Sequence, residues 1–291
     1  MRGNFGGNDF NLPSLNKISF EQGVTRAKNV IKKEEVPFEK FESFFGSENI
    51  HADKAYVANR KEKFEKNKID EYGSNCATIL EAITHMRFKK GDWIDGLQAI
   101  KTNEFDDIAH GIDEVLRVIN PETKEEMTLA IDILSVGGGP LNEGIEKKME
   151  RIHNDIVSDH LPEVKYFLDE ETGKVGIKDI PRIIIAADVK TVQELNELWM
   201  EKNMEKLAKH PLRIQILEKF IEQGNVFGSF ARRNERIEIA KKYDAIRLWA
   251  KEKLKEKIGV NQQYWNDNAS FTISNALYRF KEPNKQVRAS K

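Results

Sequence analysis

The chain has 291 residues, a formal net charge of -1 and one cysteine, with 39% hydrophobic and 33% charged residues. That is enough apolar material for the core of one large domain or two modest ones, and too much for a disordered chain. Near-neutral charge excludes a global electrostatic case for nucleic acid or anionic membrane, the lone Cys76 excludes an internal disulfide or a cysteine-built zinc cluster, and no stretch approaches the roughly 20 apolar residues of a membrane span. A cytoplasmic protein is expected.

Residues 1–16 are rich in Gly and Asn and predict a disordered arm, with structure beginning after Pro13. Over 17–69, Lys and Glu are dense and aromatics are spaced among them (Phe38, Phe41, Phe44, Tyr56, Phe64), as in charged helices leaning one face on a body. Ser74 to Phe88 predicts a firmer helix with Ser74 or Asn75 as N-cap and Glu81 beside its apolar face. Gly91 to Lys101 fits a short helix or a strand equally well.

Two apolar runs follow, Gly111 to Ile119 and Met127 to Val136, joined by a polar segment with Asn120, Pro121 and Thr123. This is a hairpin pattern, and each strand carries one aspartate, Asp113 and Asp132. Beyond the breaker Gly137-Gly-Gly-Pro140, the spacing of Leu141, Ile145, Met149, Ile152 and Ile156 predicts an amphipathic helix to Val157. Val164 to Leu168 and Lys174 to Ile177 predict a second hairpin, and Ile183 to Ala187 a strand buried on both faces. From Val189 to about Ile258 the pattern is helical, Phe271 to Phe280 predicts one more short element, and residues 281–291 form a basic tail.

The fold class expected is therefore α/β (α+β): a small mixed β-sheet flanked by helices over residues 70–190, with a helical N-terminal extension over 17–69 and a helical C-terminal region over 191–280.

Asp132 lies between Ala130-Ile131 and Ile133-Leu134, where an ionised carboxylate is expensive to bury without a cation or donors. Hairpin register can bring Asp113 and Asp132 to one ion. Mg²⁺ takes one or two carboxylates and completes its octahedron with water and substrate phosphate. Asp113 and Asp132 are thus the candidate metal ligands, with Glu81 as a third, directly or through water.

The order helical Glu81, Asp113 in Gly111-Ile-Asp-Glu-Val, Asp132 in Ala130-Ile-Asp-Ile-Leu, helix, buried strand resembles the PD-(D/E)xK, or restriction-endonuclease-like, superfamily of metal-dependent nucleases. The resemblance spans about residues 70–190 and implies a Mg-dependent hydrolase of DNA or RNA, active or degenerate, with a mixed sheet flanked by helices. Leu134 stands where that family usually has lysine, which implies a displaced cation, and Lys147 or Lys148 on the following helix are the candidates. No convincing first core strand is legible between Phe88 and Glu104. The most basic segment, Gly228 to Ile258, has ten Lys and Arg against five Asp and Glu and lies far from the motifs.

Other readings stand beside these. Asp113 can simply open a strand, Glu81 can face solvent, and Asp106, Asp107 and His110 can serve a metal site or a loop. Gly137-Gly-Gly139 lacks the Gly-Lys-Ser/Thr of a phosphate loop and reads as a turn, Asp188 reads as the N-cap of the next helix, and Trp199, Trp249 and Trp265 read as core. The alternative function is a non-catalytic α/β module that binds nucleic acid or protein through its helical region. The oligomeric state is not legible in the sequence.

Overall fold

The structure, a computed structural model, describes residues 14–66, 71–119, 126–137, 143–169, 172–257 and 267–281. The chain opens with α1 (Ser14–Glu34), a 3-10 turn at Phe38–Phe41, α2 (Glu42–Phe45), α3 (Ser47–Lys66) and α4 (Glu71–Lys90). It continues through β1 (Leu97–Lys101), a π-helical turn at Asp106–His110, β2 (Glu114–Ile119), β3 (Glu126–Val136), α5 (Glu143–Val157), the small hairpin β4 (Val164–Leu168) and β5 (Val175–Ile177), and β6 (Arg182–Asp188). Then come α6 (Val189–Met200), α7 (Met204–Ala208), α8 (Leu212–Arg233), α9 (Ile237–Lys257) and α10 (Asn268–Tyr278).

The main sheet has the order β1-β2-β3-β6, with β1, β2 and β3 antiparallel and β6 parallel to β3. A parallel return needs a crossover, which the segment through α5 supplies. The architecture is thus the mixed, helix-flanked sheet expected of the α+β class. β6 is buried over almost its whole length, as its uninterrupted Ile183–Ala187 run requires. It is also an edge strand, and side chains satisfy its free backbone groups: Gln223 of α8 donates to the Ile184 carbonyl and accepts from the Ile184 amide, at 2.8 and 2.9 Å.

α4 is wrapped by the sheet, α1 and α6 and buries residues around much of its circumference, among them Ile79, Leu80, Ala82, Ile83 and Phe88. α5 buries Ile145, Met149, Ile152 and Ile156 of the predicted stripe, whose first member, Leu141, lies outside the described residues. α8 and α9 pack so closely that a Cβ on Gly224 would stand 2.8 Å from the Tyr243 carbonyl oxygen, so only glycine fits there. Among the described residues, no helix is long and apolar enough to cross a membrane.

Several boundaries differ from expectation for identifiable reasons. α1 already begins at Ser14, inside the expected arm of residues 1–16, and residues 1–13 lie outside the described residues. Ser74 is inside α4, its carbonyl accepting from Thr78 Oγ1 at 3.0 Å, and it caps nothing. The ambiguous Gly91 to Lys101 stretch resolves into a turn and β1, the first core strand that the sequence pattern did not reveal. Asp188 is the N-cap of α6, accepting from the Thr191 amide at 2.8 Å. The first hairpin's turn (120–125), most of the Gly137-Gly-Gly-Pro140 breaker, Trp265 and most of the basic tail lie outside the described residues.

Candidate functional site

The π-helical turn ends at Gly111, whose φ of +64° suits glycine and releases the chain into Ile112 and Asp113. Asp113 precedes the first residue of β2, yet its amide donates to the Ile131 carbonyl at 3.0 Å, which extends the ladder by one bond. Its carboxylate accepts from the Ile133 amide at 2.5 Å, so it sits against the backbone of β3. Across the sheet, Leu97, Ala99 and Lys101 alternate onto the α4 face of β1, and Lys101 reaches the end of that face with 5% of its surface exposed.

There the Lys101 ammonium pairs with Glu81 of α4 and donates to the Asp113 carbonyl. Burial alone would lower its pKa, but Glu81, Asp113 and Asp107 overcome that and hold it above the ordinary value. Glu81 is shifted upward, first by desolvation and then by the charges of Asp113 and Glu114, with Lys101 opposing. Asp107 is pushed up to about 8 by desolvation and by Asp113, whose carboxylate it also bonds. The residue is nevertheless exposed to solvent, so water screens part of this effect. Three carboxylates and one ammonium therefore share a solvent-reachable corner at one end of the sheet.

A pH dependence follows. Asp107 titrates from 3.8 when unperturbed to about 8 in the folded chain. Between those values the folded state holds a proton that the unfolded state has lost, so this contribution is complete at the acid end and disappears as pH rises through 8. Asp107→Asn should flatten that part of the stability profile and raise Tm above pH 8. Superimposable wild-type and variant profiles would show that the carboxyl is not perturbed.

A second cluster lies around Asp132. This carboxylate is fully buried in β3, and Arg182 Nη1 stands 3.1 Å from both of its oxygens. Lys148 of α5 approaches to 3.5 Å. Arg182 also donates to the carbonyls of Gly111 and His110, at 2.9 Å each, and lies 3.8 Å from Asp155. Asp155 is shifted upward by desolvation, against the pull of Arg182 and Arg151. The 110–113 segment thus runs between the two clusters, held by Arg182 and by Arg151, which donates to the His110 carbonyl at 2.8 Å.

Two further acids support the corner. Asp106 is wholly buried and accepts from the Lys165 and Tyr166 amides at 2.7 and 2.9 Å, which fixes the π-helical turn to β4. Glu114, equally buried and opposite Lys101 in the ladder, pairs with His85 Nδ1 at 2.5 Å, while His85 Nε2 lies 3.7 Å from Glu34.

The structure therefore brings Glu81 and Asp113 together and separates them in charge from Asp132. Asp113 bonds Asp107 and accepts from the Ile133 amide, whereas the Asp132 carboxylate, expected to share an ion with Asp113, is met by Arg182 and Lys148. Of the two candidate displaced lysines, Lys148 meets Asp132, whereas Lys147 is 75% exposed and pairs with Glu143 one turn away. The cation beside Glu81 and Asp113 is Lys101, on a strand that the sequence pattern does not reveal. In Leu97-Gln-Ala-Ile-Lys101 the lysine shares a face with Leu97 and Ala99, but Ile100 on the other face blurs the alternation that would mark it. Among the described residues, no three His, Cys, Asp or Glu side chains gather at metal-holding geometry. Set against family models, curated proteins and solved structures, the chain matches none of them.

Proposed function

We propose that the chain is a Mg²⁺-dependent hydrolase of DNA or RNA phosphodiesters, or a degenerate relative of one, with Asp113 and Asp107 facing the ion and Glu81 and Lys101 behind them. The observation that carries the reading is the crowding of Glu81, Asp107 and Asp113 around a single buried ammonium. Negative charge there exceeds positive, so Asp107 retains a proton that a divalent cation would displace. The donor set is all oxygen and suits a hard ion. When bound, such an ion polarises a phosphoryl oxygen and acidifies water. The chain's own residues keep the corner ready: Lys101 pairs with Glu81 and holds the Asp113 backbone in place, and Ile133 N–H fixes one Asp113 oxygen. The mixed sheet, the Glu81-Asp113-Asp132 order and the helix after β3 are in keeping with the resemblance to the PD-(D/E)xK superfamily. Lys101 stands in for the lysine missing at Leu134. A cytoplasmic location accords with the single, buried Cys76.

The closed pair of Asp132 with Arg182 favours a second reading, a non-catalytic module binding nucleic acid or protein through its helices. One experiment separates the two. Calorimetric titration of the protein with Mg²⁺ or Mn²⁺ at pH 7, in buffers of differing ionisation enthalpy, should show release of about one proton per ion, falling toward zero above pH 9. Labelled DNA and RNA should be cut only with the ion present, and Asp113→Ala should abolish both effects. Folded protein that binds neither ion and cuts nothing would leave the second reading.

A further inference from the structure

The π-helical turn also carries a side-chain pair that the acidic corner does not use. His110 Nδ1 stands 3.1 Å from Oδ1 of Asp106, one turn back, and Asp106 is wholly buried. Its carboxylate already accepts from the Lys165 and Tyr166 amides, at 2.7 and 2.9 Å, so it offers the ring only an acceptor. Nδ1 therefore carries a proton, and the nitrogen left for chemistry is Nε2. The imidazole is 28% exposed with its Nδ1 edge turned inward, so Nε2 lies on the edge that reaches solvent. Phe105 packs perpendicular to the ring, centroids 5.7 Å apart, and the His110 carbonyl accepts from Arg151 and Arg182 at 2.8 and 2.9 Å. Side chain and main chain are both fixed. His110 is three residues from Asp107 and three from Asp113, so its Cα lies within about 11 Å of each. A π-helical turn is rare and recurs at functional sites; here it aligns Asp106 with His110 while Asp107 turns to Asp113.

A buried carboxylate that fixes one ring nitrogen and leaves the other at the surface is the arrangement of an imidazole acid or base. We propose that His110 is the proton donor to the leaving oxygen in the hydrolysis proposed for the neighbouring corner, with Asp106 as the residue that positions it. The inference rests on that reading for its reaction, whereas the orientation of the ring does not. Attack by a water oxygen, which sheds one proton to solvent, forms the new bond to phosphorus as the bridging P–O bond breaks. The electron pair of the broken bond stays on the bridging oxygen, which takes the proton from His110 Nε2. The ring keeps its Nδ1 proton on Asp106 and regains the other from solvent, so no further reactant is needed. Lys101 is committed to Glu81 and the Asp113 carbonyl, and the proton on Asp107 is the one an ion displaces. The corner itself has no acid left for the leaving oxygen.

The first measurement needs neither metal nor turnover. Nitrogen-edited NMR of the full chain, at a pH where the ring holds one proton, should show that proton on Nδ1 alone. A ring protonated on Nε2, or a mixture of the two forms, would overturn the inference. The second measurement uses two strands of DNA or RNA with Mg²⁺, one all-oxygen and one with sulphur at the bridging leaving position, made for both the 3′ and the 5′ side. A thiolate leaves without a proton, so His110→Ala should slow the oxygen strand about 100-fold, within the range of general acid catalysis, and the sulphur strand by no more than a few-fold. Its Mg²⁺ affinity by calorimetry should match wild type, which separates proton donation from a structural role. Should His110→Ala fail to fold, His110→Gln, whose side-chain amide keeps a donor for Asp106, replaces it. A variant that slows both strands alike, or neither, would remove His110 from the reaction and leave the hydrolase standing. Wild type that binds no ion and cuts neither strand would remove the hydrolase and its acid together.

Discussion

Asp132→Ala is expected to destabilise the fold by about 3 kcal/mol, the lower end of what removing one partner of a buried ion pair costs. The carboxylate is fully buried and Arg182 is 2% exposed, so the guanidinium left behind can neither reach water nor lose its charge. The carbonyls of Gly111 and His110 continue to accept from it, and Asp155 remains 3.8 Å from its Nε, which is why the lower end applies. Desolvation alone would make Asp132→Asn neutral or stabilising, and Arg182 reverses that sign. Combining Asp132→Leu with Arg182→Met removes both charges and should recover the loss to within about 1 kcal/mol, since a buried pair and its apolar replacement are often of similar stability. Urea midpoints at constant m decide the matter. An Asp132→Ala change within about 0.5 kcal/mol of wild type, the range of ordinary surface substitutions, would mean the pair contributes nothing.

The same residue shows what local sequence carries and what it does not. The apolar runs around Asp113 and Asp132 and the Ile183–Ala187 stretch announced three of the four main strands, because burial on a sheet leaves a continuous hydrophobic signature. The stripe of α5 was legible for the same reason, its four buried residues spaced by one helical turn. β1 was not legible, since five residues with a glutamine and a lysine give too little alternation to separate strand from helix. The cost of burying Asp132 was legible, and it required a positive partner. Whether that partner is a metal ion or an arginine is a tertiary fact, and Arg182 arrives only through the parallel register that sets Ala130 beside it. Glu81 shows the converse. A helical glutamate ordinarily faces water, but α4 is enclosed by sheet and helices, so its side chain is only 18% exposed and depends on Lys101.

Lys101→Met is expected to damage stability and function together, by separable routes. At pH 8 the loss should be about 2–4 kcal/mol, because the substitution leaves Glu81 without its buried partner and removes the donor to the Asp113 carbonyl. Lys101 has its pKa raised above 10.5, so its contribution is complete at neutral pH and is lost only at high pH. In the variant the carboxylates respond instead. Glu81 is already shifted upward by desolvation and rises further without the ammonium, so the folded variant holds an extra proton above about pH 4.5. Stability of the variant relative to wild type should therefore be closest near pH 5 and fall steadily toward pH 8. Adding Glu81→Leu removes the stranded charge and should restore most of the stability at pH 8, while the proposed nucleic-acid cleavage should be absent, because both the cation and one of the carboxylates of the proposed site are gone. A Lys101→Met/Glu81→Leu protein that is stable and still cuts would remove Lys101 from the proposed site and leave it a purely structural counter-ion. A single variant whose stability does not depend on pH relative to wild type would show that Glu81 never relied on it.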